Sequence, residues 1–130
     1  WRAIRVLLTD TTELVGVIYA DYEAAAAPTP NEIVKSLLNE GCHTFLIDTY
    51  RKDGTNLFDH LSQEKFSHLK SLAPKATFVL AGSLTESSIH NAKQLKAEFV
   101  GVRGAVCEDS REGRVSAEKS RQMLKLVKAS

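Results

Sequence analysis

Four short apolar runs, each followed by a segment of helical period, limit this chain to an α/β fold with a parallel sheet. The runs occupy residues 14–20, 44–47, 77–81 and 99–102 and are rich in Val, Ile, Leu and Phe. Near-continuous apolar runs of this length are the pattern of strands covered on both faces. They start roughly 20 to 35 residues apart, the size of a βα unit. At 130 residues the chain is one domain's worth, without a linker or low-complexity segment.

Each intervening segment carries its own start signal. Thr29-Pro30-Asn31-Glu32 is a capping box with Pro at the first helical position; Ile33, Val34, Leu37 and Leu38 then form an apolar stripe, and Gly41 supplies the stop. Ser62 caps a second helix, with Leu61 placed to staple onto Phe66 and the stripe continuing through Leu69 and Leu72. Thr85 opens a third helix through Ile89, Ala92 and Leu95, and Ser116 opens a fourth with Met123, Leu124 and Val127 on one face. Residues 1–9 read as the end of an earlier helix, with Ile4, Leu7 and Leu8 apolar. Four consecutive βα units build either an open doubly wound sheet or half of a (β/α)8 barrel. The glycine-rich ends of the last two runs favour the half barrel, spanning 1–130. The first run lacks a G-x-G-x-x-G turn, which weakens a dinucleotide-binding reading.

Composition removes several function classes. The formal net charge is +1, and no basic block is longer than a pair, against the concentrated positive face of a nucleic-acid binder. No apolar run approaches the ~20 residues of a membrane span, so neither nucleic acid nor membrane is an expected partner. Cys42 and Cys107 are far apart and lack metal-ligand spacing, as do the four histidines; two reduced thiols in a cytoplasmic protein are expected, with no metal and no cofactor. The chain begins with Trp1 and not Met, which leads to the expectation of an upstream part.

Chemistry concentrates where the runs end. The second run stops in Asp48, and Lys52 follows four residues later, before Asp53-Gly54. A charge at the end of a buried strand is costly unless paired or used. The pair reads either as a salt bridge at the sheet mouth or as an acid/base couple acting on a carbonyl substrate. The neighbouring carboxylate favours the ammonium of Lys52 as a proton donor or clamp over a free-amine nucleophile. Ala81-Gly82-Ser83 closes the third run beside a helix start, and Gly101-Val102-Arg103-Gly104 closes the fourth. Each is a tight turn or part of an anion site: bare backbone N–H groups and a forked guanidinium suit phosphate. Asp21, after Tyr19 at the end of the first run, is either a substrate-binding residue or a cap for the following loop.

Three strings, taken together, carry a family resemblance. Leu46-Ile47-Asp48-Thr49-Tyr50-Arg51-Lys52-Asp53-Gly54-Thr55-Asn56-Leu57-Phe58-Asp59, Leu80-Ala81-Gly82-Ser83 and Val100-Gly101-Val102-Arg103-Gly104-Ala105-Val106-Cys107 resemble the (5-formylfuran-3-yl)methyl phosphate synthase family of methanofuran biosynthesis, and Tyr19-Ala20-Asp21 matches as well. The resemblance covers this whole chain but only the C-terminal half of a family member, with the present strands similar to the fifth to eighth of a (β/α)8 barrel. It implies a lyase that condenses two glyceraldehyde 3-phosphate molecules with loss of phosphate and water, through a lysine Schiff base as in a class I aldolase. It implies catalytic roles for Asp48 and Lys52, and phosphate contacts for Gly82, Ser83, Gly101, Arg103 and Gly104.

Two departures accompany the resemblance. The family's Schiff-base lysine belongs to the half that this sequence does not contain, and residues 108–113 look shortened beside the family's glycine-rich loop. The 130 residues alone are therefore expected to be inactive. They are expected to be completed by an N-terminal half of the same barrel, or to self-associate as a homo-oligomer. Two other readings stay open: a non-catalytic phosphate-binding assembly module, and another phosphosugar barrel enzyme with no need of the Asp48/Lys52 pair.

Overall fold

The computed structural model describes residues 1–129. Strands β1 (Gly16–Tyr19), β2 (Thr44–Asp48), β3 (Thr77–Leu80) and β4 (Phe99–Val100) alternate with helices α2 (Pro30–Asn39), α3 (Gln63–Leu72), α4 (Glu86–Gln94) and α5 (Ala117–Lys128), after a short α1 (Arg2–Arg5). All strand pairs are parallel and the sheet order is β1-β2-β3-β4. Sequential order with every crossover in one direction excludes the doubly wound arrangement, in which strand order reverses at a switch point. It is the winding that a half barrel has.

The helix starts follow the capping chemistry. The Thr29 hydroxyl accepts from the Glu32 N–H at 3.3 Å, and a Glu32 carboxylate oxygen accepts from the Thr29 N–H at 2.8 Å. Ser62 and Ser116 accept from the N–H groups of Lys65 and Lys119. Such caps stabilise a helix by about 1 kcal/mol each. After α2 the chain turns at Gly41, whose φ of +79° is left-handed backbone that a side chain disfavours.

The strands are covered on one face, where the sequence pattern predicts two. Ile18, Phe45, Ile47, Phe78 and Leu80 are fully buried against Val34 of α2, Phe66 and Leu69 of α3, and Ala92 of α4. Phe45 and Phe78 stack with ring centroids 5.5 Å apart. The opposite face carries the row Val17, Leu46, Val79 and Phe99, in register across all four strands. Val17 is 46 % exposed and Phe99 60 %. The reason is the one-way winding: each helix returns over the same side, so no element among the described residues covers the other. An apolar row there is what a barrel interior requires and what a solvent-facing sheet does not.

The expected helix over 1–9 shrinks to α1. Trp1 packs on the core and Arg2 pairs with Glu40, but Ile4 and Leu7 are exposed. Thr9 bonds through its hydroxyl to Thr11 and Thr12, a local alternative that ends helical backbone. Both cysteines are buried and free. Among the described residues no helix is long and apolar enough to cross a membrane, and no cluster of His, Cys, Asp and Glu could hold a metal ion.

Candidate functional site

The carboxyl ends of β2, β3 and β4 open into one cavity of about 560 Å³. Asp48, Lys52, Gly82, Ser83, Gly101, Arg103 and Gly104 all line it. The topology explains this. Parallel strands in sequential order bring all their carboxyl ends to one rim, and Asp48 shares the open sheet face with Leu46, two residues before it.

Lys52 is held by three acceptors. Its Nζ donates to Asp48 Oδ1 at 3.2 Å, to the Thr49 carbonyl at 2.6 Å and to Thr49 Oγ1 at 3.2 Å. Three acceptors match the three protons of an ammonium and leave no lone pair in use. Asp48 Oδ1 also accepts from the Thr49 N–H at 2.7 Å, while Oδ2 has no hydrogen-bond partner among the described residues. Both side chains are about one-third exposed, so the pair is neither sealed in the core nor fully solvated. An exposed ion pair of this kind contributes under about 1 kcal/mol to stability. Its placement at a cavity wall is therefore not explained by folding energy.

Across the cavity, Gly82 and Ser83 have φ values of +108° and +51°, two successive left-handed residues that turn β3 toward the start of α4. Only Gly adopts such backbone freely; at Ser83 it is a strain of order 1–3 kcal/mol. The start of α4 beside this turn carries the N–H groups and dipole of a helix N-terminus. At the third edge, Arg103 Nε donates to the Arg111 carbonyl at 2.9 Å, fixing the guanidinium while its terminal nitrogens stay available.

Arg111 was not anticipated from the sequence, and it lines the same cavity. It sits in the loop after β4, where the chain folds back: Cys107 bridges to Val115, and the Glu108 N–H donates to the Arg114 carbonyl. The Arg111 Cβ lies 3.4 Å from where a Cβ on Gly104 would stand. Nothing in residue spacing marks it, because its position depends on that loop closing back.

Asp21 is placed differently from the other strand-end residues. It does not line the cavity; its buried carboxylate accepts from the Tyr50 N–H at 2.7 Å and the Arg51 N–H at 3.0 Å. Burial raises its pKa, but the two backbone donors, helped by the nearby His60, outweigh burial and leave the carboxyl below its ordinary range. His60, with His68 and Lys65, lines a separate outer groove near α2 and α3, and its Nε2 lies 3.1 Å from Thr55 Oγ1.

A one-way parallel sheet, with a lysine–carboxylate couple facing glycine turns and two arginines, defines an α/β protein with a strand-end cavity lined by three cations and one carboxylate. The chain belongs to the 4-HFC-P synthase family, whose sequence model matches residues 1–124. It is 35 % identical over 119 residues to a (5-formylfuran-3-yl)methyl phosphate synthase of Methanococcus aeolicus, covering 87 % of this chain and 50 % of the relative. Synthases of the same name from Methanopyrus kandleri and Archaeoglobus fulgidus are 34 % and 29 % identical over 130 and 119 residues, covering 98 % and 90 % of this chain and 54 % and 49 % of their own. The chain thus spans about half the length of the curated relatives it matches.

Proposed function

We propose that this chain forms the C-terminal half of a (β/α)8-barrel lyase of methanofuran biosynthesis, which condenses two glyceraldehyde 3-phosphate molecules into (5-formylfuran-3-yl)methyl phosphate. The observation that carries the reading is the cavity itself: a lysine with its protons on Asp48 and Thr49 shares one chamber with two glycine turns and two arginines. The turns and Arg103 hold a phosphoryl group. Lys52 protonates the alkoxide left when the carbanion of one triose adds to the carbonyl of the other, forming a C–C bond. Asp48, through its uncommitted Oδ2, takes the proton released when that carbanion forms, passes it to the Lys52 amine left by the donation, and serves the later loss of water. The Schiff-base nucleophile is not among these residues, since Lys52 is arranged as a donor. Free buried thiols fit a cytoplasmic enzyme.

The test mixes the purified chain, alone and joined to the N-terminal half of a curated relative, with glyceraldehyde 3-phosphate. Furan product is expected from the joined protein and not from the chain alone. Product from the chain alone, or none from a folded joined protein, overturns the reading.

A second reading, a phosphate-binding module closed by a copy of itself, is favoured by the open row Val17 to Phe99 and by the two-residue edge strand β4. Light scattering decides between them: a stable dimer that binds phosphate without borohydride-trapped adduct favours the module.

A further inference from the structure

Beyond the end of β2 the chain has two N–H groups for which the sheet offers no acceptor. The last ladder bond from β1 runs from the Ala20 N–H to the Asp48 carbonyl, 2.8 Å. Asp21, the next residue, takes over from the ladder: one carboxylate oxygen accepts from Tyr50 and the other from Arg51. Two successive amides on one buried carboxylate make a charge-assisted clamp, stronger than the neutral bonds it replaces. The clamped amides are flanked by the two residues that matter at the cavity, Thr49 and Lys52. Thr49 is 1 % exposed and supplies two of the three acceptors on Lys52. Its nitrogen and methyl group also lie against Gly82, so it cannot shift toward the anion turn. What remains free to set its orientation is the backbone that follows, and Asp21 holds that backbone.

We propose that Asp21 is a positioning residue for Lys52: by clamping the Tyr50 and Arg51 amides from the neighbouring strand, it holds the turn 49–52 so that Thr49 presents both oxygens to the Lys52 ammonium. The importance of that ammonium rests on its reading above as the cavity's proton donor; the clamp itself does not. Asp21→Asn is the sharpest perturbation, because it keeps the shape but leaves one acceptor oxygen and sets an NH2 group against the second amide.

The measurement is the side-chain ammonium spectrum of the 15N-lysine-labelled chain at low temperature, with Lys52 assigned by its loss in Lys52→Arg. An ammonium held by three acceptors exchanges protons slowly and gives a signal; a free surface lysine does not. In folded Asp21→Asn the Lys52 signal is expected to vanish, while the Kd for inorganic phosphate stays within about threefold. A purely structural role would lower the melting temperature yet leave the signal in place, and a folded variant with an intact Lys52 signal overturns the proposal. Should Asp21→Asn fail to fold, Asp21→Ser, whose single hydroxyl serves one amide, is read in the same way. If the unaltered chain binds no phosphate while Asp21→Asn still extinguishes the signal, the functional reading fails and the clamp stands.

Discussion

A Cβ placed on Gly82 would stand 2.9 Å from both the backbone nitrogen and the Cγ2 of Thr49. The turn that ends β3 is thus packed against the residue that holds Lys52, and the two sides of the cavity touch through a glycine. Gly82 also sits at φ +108°. Gly82→Ala meets both obstacles and is expected to destabilise the fold by about 2 kcal/mol or more, read as a lower urea midpoint at unchanged slope. Because Thr49 must move, phosphate binding should weaken too. A variant with wild-type stability would show that the turn has more room than its geometry indicates.

Arg103 and Arg111 are coupled through a backbone carbonyl and not through an acid. Arg103→Lys removes the fork and the bond to the Arg111 carbonyl while keeping the charge. Lysine replaces arginine poorly at a bidentate site, and about a tenfold loss of phosphate affinity is expected. Arg111→Gln removes one of the cavity's cations and should weaken binding comparably, with a shallower salt dependence. Isothermal titration with inorganic phosphate at two salt concentrations checks both, and unchanged affinity in both variants would remove the arginines from the site.

The Asp21 carboxyl gives the fold a pH dependence of defined sign. Its pKa is lowered on folding, against burial, by donation from the Arg51 and Tyr50 amides, with His60 adding a smaller effect. A group whose folded pKa is depressed contributes stability that is fully present above its unfolded value, about pH 4, and is lost as pH falls through the lower folded value. The melting temperature of the unaltered chain should therefore drop more steeply below about pH 4 than that of Asp21→Asn. Parallel curves for the two would show that Asp21 is not the group that titrates.

How far the sequence reaches depends on whether a feature is local. The caps at Thr29, Ser62, Thr85 and Ser116 are written within four residues of each helix start, and the structure places helix starts at each. The convergence of Asp48, Lys52 and the two glycine turns follows from parallel strands in sequential order, so strand count and connection length suffice to anticipate it. The open sheet face is not visible in the run pattern itself, because an apolar row facing solvent has the same composition as one facing helices; it follows only from reading the four units as a half barrel, which leaves an apolar concave face uncovered. Arg111 and the actual contacts of Asp21 were hidden for a different reason. One depends on a loop closing back over β4, the other on the register of β1 against β2, and neither leaves a periodic trace. Asp21 lies at the strand end where site residues collect, yet its oxygens turn to the adjacent backbone, which only coordinates distinguish.

Lys52 yields the prediction that separates the chemistry most cleanly. A nitrogen that donates to Asp48 Oδ1, the Thr49 carbonyl and Thr49 Oγ1 has no lone pair facing substrate, so it should not form an imine. Borohydride added to the chain with glyceraldehyde 3-phosphate is expected to leave Lys52 unmodified in peptide mass spectra. In the chain joined to the N-terminal half of a curated relative, Lys52→Met should retain phosphate affinity within about threefold. It should also lower turnover by about 10²- to 10⁴-fold, the usual contribution of a positioned proton donor. Lys52→Arg keeps the charge but cannot release a proton near neutrality, so it should bind phosphate as well and still not recover turnover. An adduct trapped on Lys52 itself would reverse the assignment and make this residue the nucleophile. Thr49 and Asp48 would then have to release the ammonium before reaction, and phosphate binding at Gly82 would be the natural trigger, since Gly82 abuts Thr49.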